Sequence, residues 1–143
     1  MKPTPKGWPR ISSSLTYDDA KAAIAWLSKA FGFEVKVLVE GEDGRIEHSQ
    51  LAYGDGLIMI GSARADRPWR KTPKSLGGAN TQTMMVFVDD ADAHAAHALA
   101  AGATIAREPS TQDYGDGYWV DRGYEAIDPE GHHWYFVQRL QEK

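Results

Sequence analysis

Two pairs of residues in this chain have the types and spacing that chemistry needs. His48 and Gln50 stand two apart, as do His133 and Tyr135, and both pairs lie in runs with strand-like alternation, so each pair shares one face. An imidazole that titrates near ~6.5 can serve as a general base at neutral pH, with Tyr135 or Arg122 steadying a developing oxyanion. The same imidazoles, with Gln50 and Tyr135, could instead offer lone pairs to a divalent ion. Arg122, close to Tyr124, could grip an anionic or carbonyl group through a bidentate contact, or form an ion pair with Asp121 or Glu125. His94 and His97, one helical turn apart, could clamp a surface ion, but in an Ala-rich helix they read as a solvated face. Tyr114, Tyr118, Trp119 and Trp69 fall in or near irregular Gly-rich segments from which aromatic rings could stack on a flat ligand. Asp113, Asp116 and Asp121 do not match EF-hand spacing and read as a solvated turn. The sequence holds no P-loop, no supported Ser-His-Asp order and no dinucleotide fingerprint.

The elements that must position these residues come in two similar sets. Arg10 to Tyr17 alternates as a half-buried strand. Asp18-Asp19 offers capping oxygens to a helix whose Ala23, Ile24, Trp26, Leu27, Ala30 and Phe31 recur at three-to-four spacing, with Gly32 as its stop. Phe33 to Val39, Ile46 to Tyr53 and Leu57 to Ile60 read as strands joined by the turn sequences Gly41-Glu42-Asp43-Gly44 and Gly54-Asp55-Gly56. The pattern then repeats. Gln82 to Val88 is a strand, Asp89-Asp90 a cap, Ala91 to Ala101 a helix and Gly102 its stop. Thr104 to Arg107, Tyr118 to Ile127 and His132 to Val137 supply three more strands. Tyr17-Asp18-Asp19-Ala20 thus recurs as Val88-Asp89-Asp90-Ala91, an internal repeat. The expected fold is α+β: two tandem βαβββ modules, residues 10–66 and 81–140, joined by a polar, Pro- and Gly-bearing linker loop at 67–80.

Composition narrows the function classes. A chain of 143 residues with 42% hydrophobic content can bury one substantial core. A net charge of −4, with both signs dispersed, disfavours nucleic acid and membrane surfaces as partners. No apolar run approaches the roughly 20 residues of a bilayer span, and the N-terminus lacks the apolar stretch of a signal peptide. Cysteine is absent, so a disulfide framework is excluded and a cytoplasmic location is expected.

The closing run Asp128-Pro129-Glu130-Gly131-His132-His133-Trp134-Tyr135-Phe136, preceded by Asp121-Arg122-Gly123-Tyr124 and by the linker Leu76-Gly77-Gly78-Ala79-Asn80, resembles the vicinal oxygen chelate superfamily. Its members include glyoxalase I, extradiol dioxygenases, fosfomycin-resistance transferases and bleomycin-binding resistance proteins. The resemblance runs from about Arg10 to Gln138 and lies nearest the glyoxalase-like and bleomycin-resistance-like branch. It implies sheets curved into half-barrels around a cavity, helices on the convex side, a small-molecule ligand and, often, a homodimer. On alternation, Ile11, Leu15, Met84, Val86, Val88, Trp134 and Phe136 suit the helix side, leaving Ser12, Ser14, Thr83, Met85, His133 and Tyr135 for the concave side.

The metal-binding members use His, Glu or Gln on the first and last strands of each module. Those positions carry over to Ser12, Thr83, Ile60 and Tyr135, none of which is a good ligand. The resemblance therefore implies a binding protein without the usual divalent metal and with no cofactor, holding an aromatic or amphipathic molecule against Ser12, Ser14, His48, Gln50, Thr83, Met85, Arg122, Tyr124, His133 and Tyr135. The alternative is a lyase, isomerase or dioxygenase with a displaced metal site or metal-free chemistry, for which His48, His133 and Tyr135 are the catalytic candidates.

Overall fold

The computed structural model describes residues 1–143. The first module comprises β1 (Ser13–Tyr17), α1 (Ala20–Phe31), β2 (Glu34–Glu40), β3 (Ile46–Tyr53) and β4 (Gly56–Ser62). The second comprises β5 (Met84–Phe87), α2 (Ala91–Ala100), β6 (Thr104–Asp113), β7 (Trp119–Ile127) and β8 (His133–Glu142). Each module forms its own four-stranded sheet, ordered β1-β4-β3-β2 and β5-β8-β7-β6. The first strand of each runs parallel to the last, and the other pairs are antiparallel. The α+β fold of two repeated βαβββ modules therefore follows the expected pattern. Several strand bounds differ from the expectation, with β5 shortened to Met84–Phe87 and β8 extended to Glu142. β1 begins at Ser13, so Ile11 precedes it and is exposed instead of facing a helix. β6 runs to Asp113, because a register shift after Arg107 lets the chain pair again with β7.

The helices form where the sequence places oxygens and apolar stripes. Asp19 Oδ1 accepts from the Ala22 amide at 3.1 Å, and Gly32 closes α1 in the left-handed conformation. Asp90 does the same for α2 through the Ala93 amide at 2.9 Å. Ala23, Ile24, Leu27, Ala30 and Phe31 turn inward from α1, while Ala91, Ala95 and Ala98 let α2 approach closely. Both helices pack on the inner faces of both sheets, so one core spans the modules. Phe31 sits at its centre, with ring centroids 4.8 Å from Trp26, 5.3 Å from Trp134 and 4.7 Å from Phe136.

The Asp128–Gly131 turn fastens the second module to the first. Gly131 adopts φ 93°, a conformation that side chains disfavour, and closes the turn between β7 and β8. Buried Asp128 then accepts from Tyr17 Oη at 2.5 Å, Trp134 Nε1 at 3.0 Å and the amides of Glu130 and His132 at 3.1 Å. Burial and the Asp128 carboxylate together push the Tyr17 phenol well above its ordinary pKa. Glu130 reaches the start of α1, accepting from the Asp18 amide at 2.6 Å and the Asp19 amide at 2.9 Å, where the helix dipole favours a negative charge. His132 Nε2 bonds the Thr16 carbonyl at 2.8 Å.

His97 is exposed, as its place in an Ala-rich helix suggested, whereas His94 is half-buried. His94 Nδ1 meets Tyr124 Oη at 2.6 Å and its Nε2 meets the Phe31 carbonyl at 2.9 Å, while His97 Nε2 meets the Lys29 carbonyl at 2.7 Å. Both imidazoles tie α2 to the C-terminal end of α1. For His94, one nitrogen must donate to the carbonyl and the other accept from the phenol, so the neutral ring fits. Burial lowers its pKa accordingly. The unfolded chain takes up a proton near pH ~6.5 that the folded chain resists, so stability is full above that value and falls as pH drops toward the folded pKa. Urea midpoints measured at about pH 7.5 and about pH 5.5 should differ less in His94→Gln than in the parent chain. An unchanged difference would remove His94 from the pH response.

Candidate functional site

The face of each sheet turned away from the helices is open, and the structure distributes the ten expected ligand contacts over separate regions. Ser12 and Met85 meet in a cleft at the seam between the modules, where the edge of β1 approaches the edge of β5. The cleft has a volume of about 360 Å³ and is walled by Ile11, Phe33, Tyr53, Ile58, Met84 and Phe87 together with those two. Ser12 Oγ is buried there without a hydrogen-bond partner. Ser14 takes a hydrogen bond from Arg70 Nη2 at 2.6 Å, under the linker. Thr83, just ahead of β5, is exposed.

His48 and Gln50 share the open face of β3 and bond each other, Nε2 to Nε2, at 3.0 Å. Gln50 also borders a hollow of about 730 Å³ beneath the N-terminal arm, where Trp8 and Pro9 lie near Leu57. His133 and Tyr135 lie on the open face of β8, His133 across from Ile127 and Tyr135 across from Met85 and Glu125. The His133 amide donates to Asn80 Oδ1 at 3.2 Å. The Tyr135 ring crosses the sheet above Gly123, where an added Cβ would sit 2.8 Å from a ring carbon and 3.0 Å from the Phe136 carbonyl oxygen. Only glycine permits that close approach. The Arg107 guanidinium stacks on the Tyr135 ring at 5.3 Å. Farther along this face, Arg139 lies 4.6 Å from the Trp119 ring centre and 5.4 Å from that of Phe87, and pairs with Asp121 at 2.5 Å.

Two expected contacts lie on the opposite face. Tyr124 is fully buried beneath α2, stacked 5.2 Å from Phe136, and burial raises its phenol pKa strongly. Arg122 reaches Asp92 of α2 through two bonds of 2.6 and 2.7 Å, and Thr111 at 3.1 Å. The reason is strand parity. Register places Tyr124 beside Phe136 and Arg122 beside Gln138, so both point toward the helices. The acids Asp113 and Asp121 are held by Lys143 and Arg139 respectively.

The donor set does not fit a divalent ion at the positions used by metal-binding relatives. Ser12 and Thr83 offer neutral hydroxyls and Tyr135 a phenol, none of them among the imidazole, carboxylate or thiolate donors such an ion prefers. Ile60 itself is buried on the helix side; β1 pairing sets Met59 beside Ser14, as Tyr135 lies beside Met85 in the second module. The equivalent position is therefore Met59, whose soft thioether is a poor partner for a hard or borderline cation. Nowhere do three His, Asp or Glu side chains converge in a group able to hold a metal ion.

Sequence reasoning missed Met84, Phe33, Tyr53 and Arg107 as surroundings of the open regions. Arg107 was detectable only through its register opposite Glu125, and the others required knowing how the two modules meet.

Two βαβββ modules with helices on one face and open sheets on the other define a fold that hosts varied chemistries. The chain belongs to the Glyoxalase/Bleomycin resistance protein/Dioxygenase superfamily, whose model matches residues 10–136. An uncharacterized protein of Mycobacterium tuberculosis (strain ATCC 25618 / H37Rv), Rv0887c, is 36% identical over 136 residues, covering 94% of this chain and 76% of that protein. Among solved structures, TioX from Micromonospora sp. ML1 superposes with a TM-score of 0.70 at 29% identity, covering 93% of this chain and 100% of that one. The fosfomycin resistance protein FosX from Listeria monocytogenes, solved with Mn(II) and 1S,2S-dihydroxypropylphosphonic acid, shares the fold at TM-score 0.61 and 13% identity, over 87% of this chain and 85% of that one. No helix is long and apolar enough to cross a membrane.

Proposed function

We propose that this chain binds a small aromatic or amphipathic molecule in the seam cleft, and does so without a divalent ion. The observation that carries the reading is an apolar cleft of about 360 Å³ with Ser12 Oγ buried and unpartnered in its wall. Binding sites for small molecules are of that size, mostly apolar, with a few polar groups that fix orientation. A buried hydroxyl without a partner is costly, and a ligand donor or acceptor would relieve that cost. The lack of suitable donors at the metal positions supports the metal-free part. Exposed Trp119 and Leu140 on the second module, outside the cleft wall, support a homodimer as the working form.

The test uses 1-naphthol, a neutral bicyclic molecule with one hydroxyl, and methyl NMR of the four methionines. Saturable shifts at the Met84 and Met85 methyls, with Met59 unmoved, are expected. Ser12→Ala should weaken binding about three- to tenfold, the usual worth of one neutral hydrogen bond. Met85→Trp should abolish it by filling the cleft. Unmoved Met84 and Met85 resonances at the probe's solubility limit would overturn the proposal.

A further inference from the structure

We infer that the linker forms a second binding site, independent of the seam cleft, for the oxyanion of a small carboxylate- or phosphate-bearing molecule. The linker lies across β1 and encloses a polar cavity of about 270 Å³ whose wall includes Ser14, Thr16, Trp69, Arg70, Lys71 and Gln82. No aspartate or glutamate lines it. Arg70 and Lys71 are among the cations with no carboxylate within ion-pair reach, and the two stand together on this wall. In a chain of net charge −4, two cations on a cavity wall that carries no carboxylate make the local potential there positive. The adjoining hollow, which also touches Arg70 and Lys71, contains Asp18. That carboxylate takes Thr72 Oγ1 at 3.4 Å and pairs with neither cation.

The geometry is held in place in advance. Arg70 Nη2 spends one donor on Ser14 Oγ at 2.6 Å, which aims the guanidinium and leaves its other N–H groups for an oxyanion. The chain just beyond is anchored. Thr72 and Pro73 are buried, the Lys74 amide donates to the Glu130 carbonyl at 3.0 Å, and Asn80 Nδ2 donates to the Gly131 carbonyl at 2.8 Å. A cation fixed before binding loses less freedom when the ligand arrives. Trp69, 74% exposed at the rim, offers a flat apolar surface for the rest of the molecule.

Benzoate, inorganic phosphate and neutral benzamide serve as probes, with calorimetry for affinity and tryptophan fluorescence for site. Benzoate or phosphate should bind and benzamide should not. Arg70→Gln should weaken the binding about tenfold or more, as expected for loss of a charge-assisted contact, with circular dichroism confirming an unchanged fold. Lys71→Gln should weaken it less. Trp69→Phe should remove the fluorescence change that benzoate produces. Benzoate without phosphate would mark a planar carboxylate site, and the reverse a tetrahedral one. Binding of neither anion, equal binding of benzamide, or binding that Arg70→Gln leaves unchanged would overturn the inference. None of these readouts involves Met84 or Met85, so the two sites fail or stand separately.

Discussion

Asp128→Ala should destabilise the protein by roughly 3–5 kcal/mol, because it leaves several buried donors unpaired at about 1–3 kcal/mol each. The carboxylate accepts four hydrogen bonds, from Tyr17, Trp134 and the amides of Glu130 and His132, and Asp128 is 4% exposed. Alanine would leave buried Tyr17 and Trp134 donors unpaired, each at the price of its desolvation. Tyr17 belongs to β1 and Trp134 to β8, so the damage falls on the join between modules. Asp128→Asn separates shape from charge. It keeps one acceptor oxygen but turns an NH2 group toward donors, and its loss should be smaller than that of alanine. Urea unfolding followed by far-UV circular dichroism reads both. A loss below about 1 kcal/mol for alanine would show that water satisfies Tyr17 and Trp134, and that the turn is not a clasp.

That result bears on what the sequence makes legible. The Asp-Pro-Glu-Gly turn announces a bend and a strand, because Pro and Gly restrict or release φ in known ways. The repeat of Asp-Asp-Ala before each helix, with Gly32 and Gly102 behind, is local chemistry and gives the modular order directly. What Asp128 and Glu130 hold is not local. Their partners Tyr17, Asp18 and Asp19 lie more than a hundred residues away, and no spacing reveals such a contact. Parity fails for the same reason. Arg122 and Tyr124 look like site residues because they adjoin the turn motif, yet register with β8 turns them under α2. His94 looks solvated in an Ala-rich helix, and only the packing of α2 against α1 shows that its two nitrogens are occupied.

The separation of His48 from His133 also bears on function. Each imidazole lies on its own sheet, His48 bonded to Gln50 and the His133 amide to Asn80, and no third His, Asp or Glu joins them in a metal-holding group. Among the openings, those at the seam and under the linker lie where strand edges and the crossover meet. Both are products of how the modules are assembled.

Phe31→Ala should cost about 3–5 kcal/mol, as expected for deleting a large buried aromatic whose surroundings cannot collapse. Phe31 is 1% exposed and touches Trp26 of its own helix as well as Trp134, Phe136 and His94 of the second module. If each βαβββ module were a separate folding unit, hydrogen exchange would show protection lost in β1 to β4 and kept in β7 and β8. The shared core requires the opposite: amides of β3 and β7 should lose protection together, in one transition at lower urea. Retained protection in β7 and β8 alone would refute the single core. Phe31→Leu, which keeps most of the volume, should lose less than about 1.5 kcal/mol. Because the seam cleft lies where the β1 edge meets the β5 edge, its shape depends on the placement that this core imposes. Phe31→Ala should therefore also weaken 1-naphthol binding while the protein is still folded, although Phe31 lies outside the cleft wall.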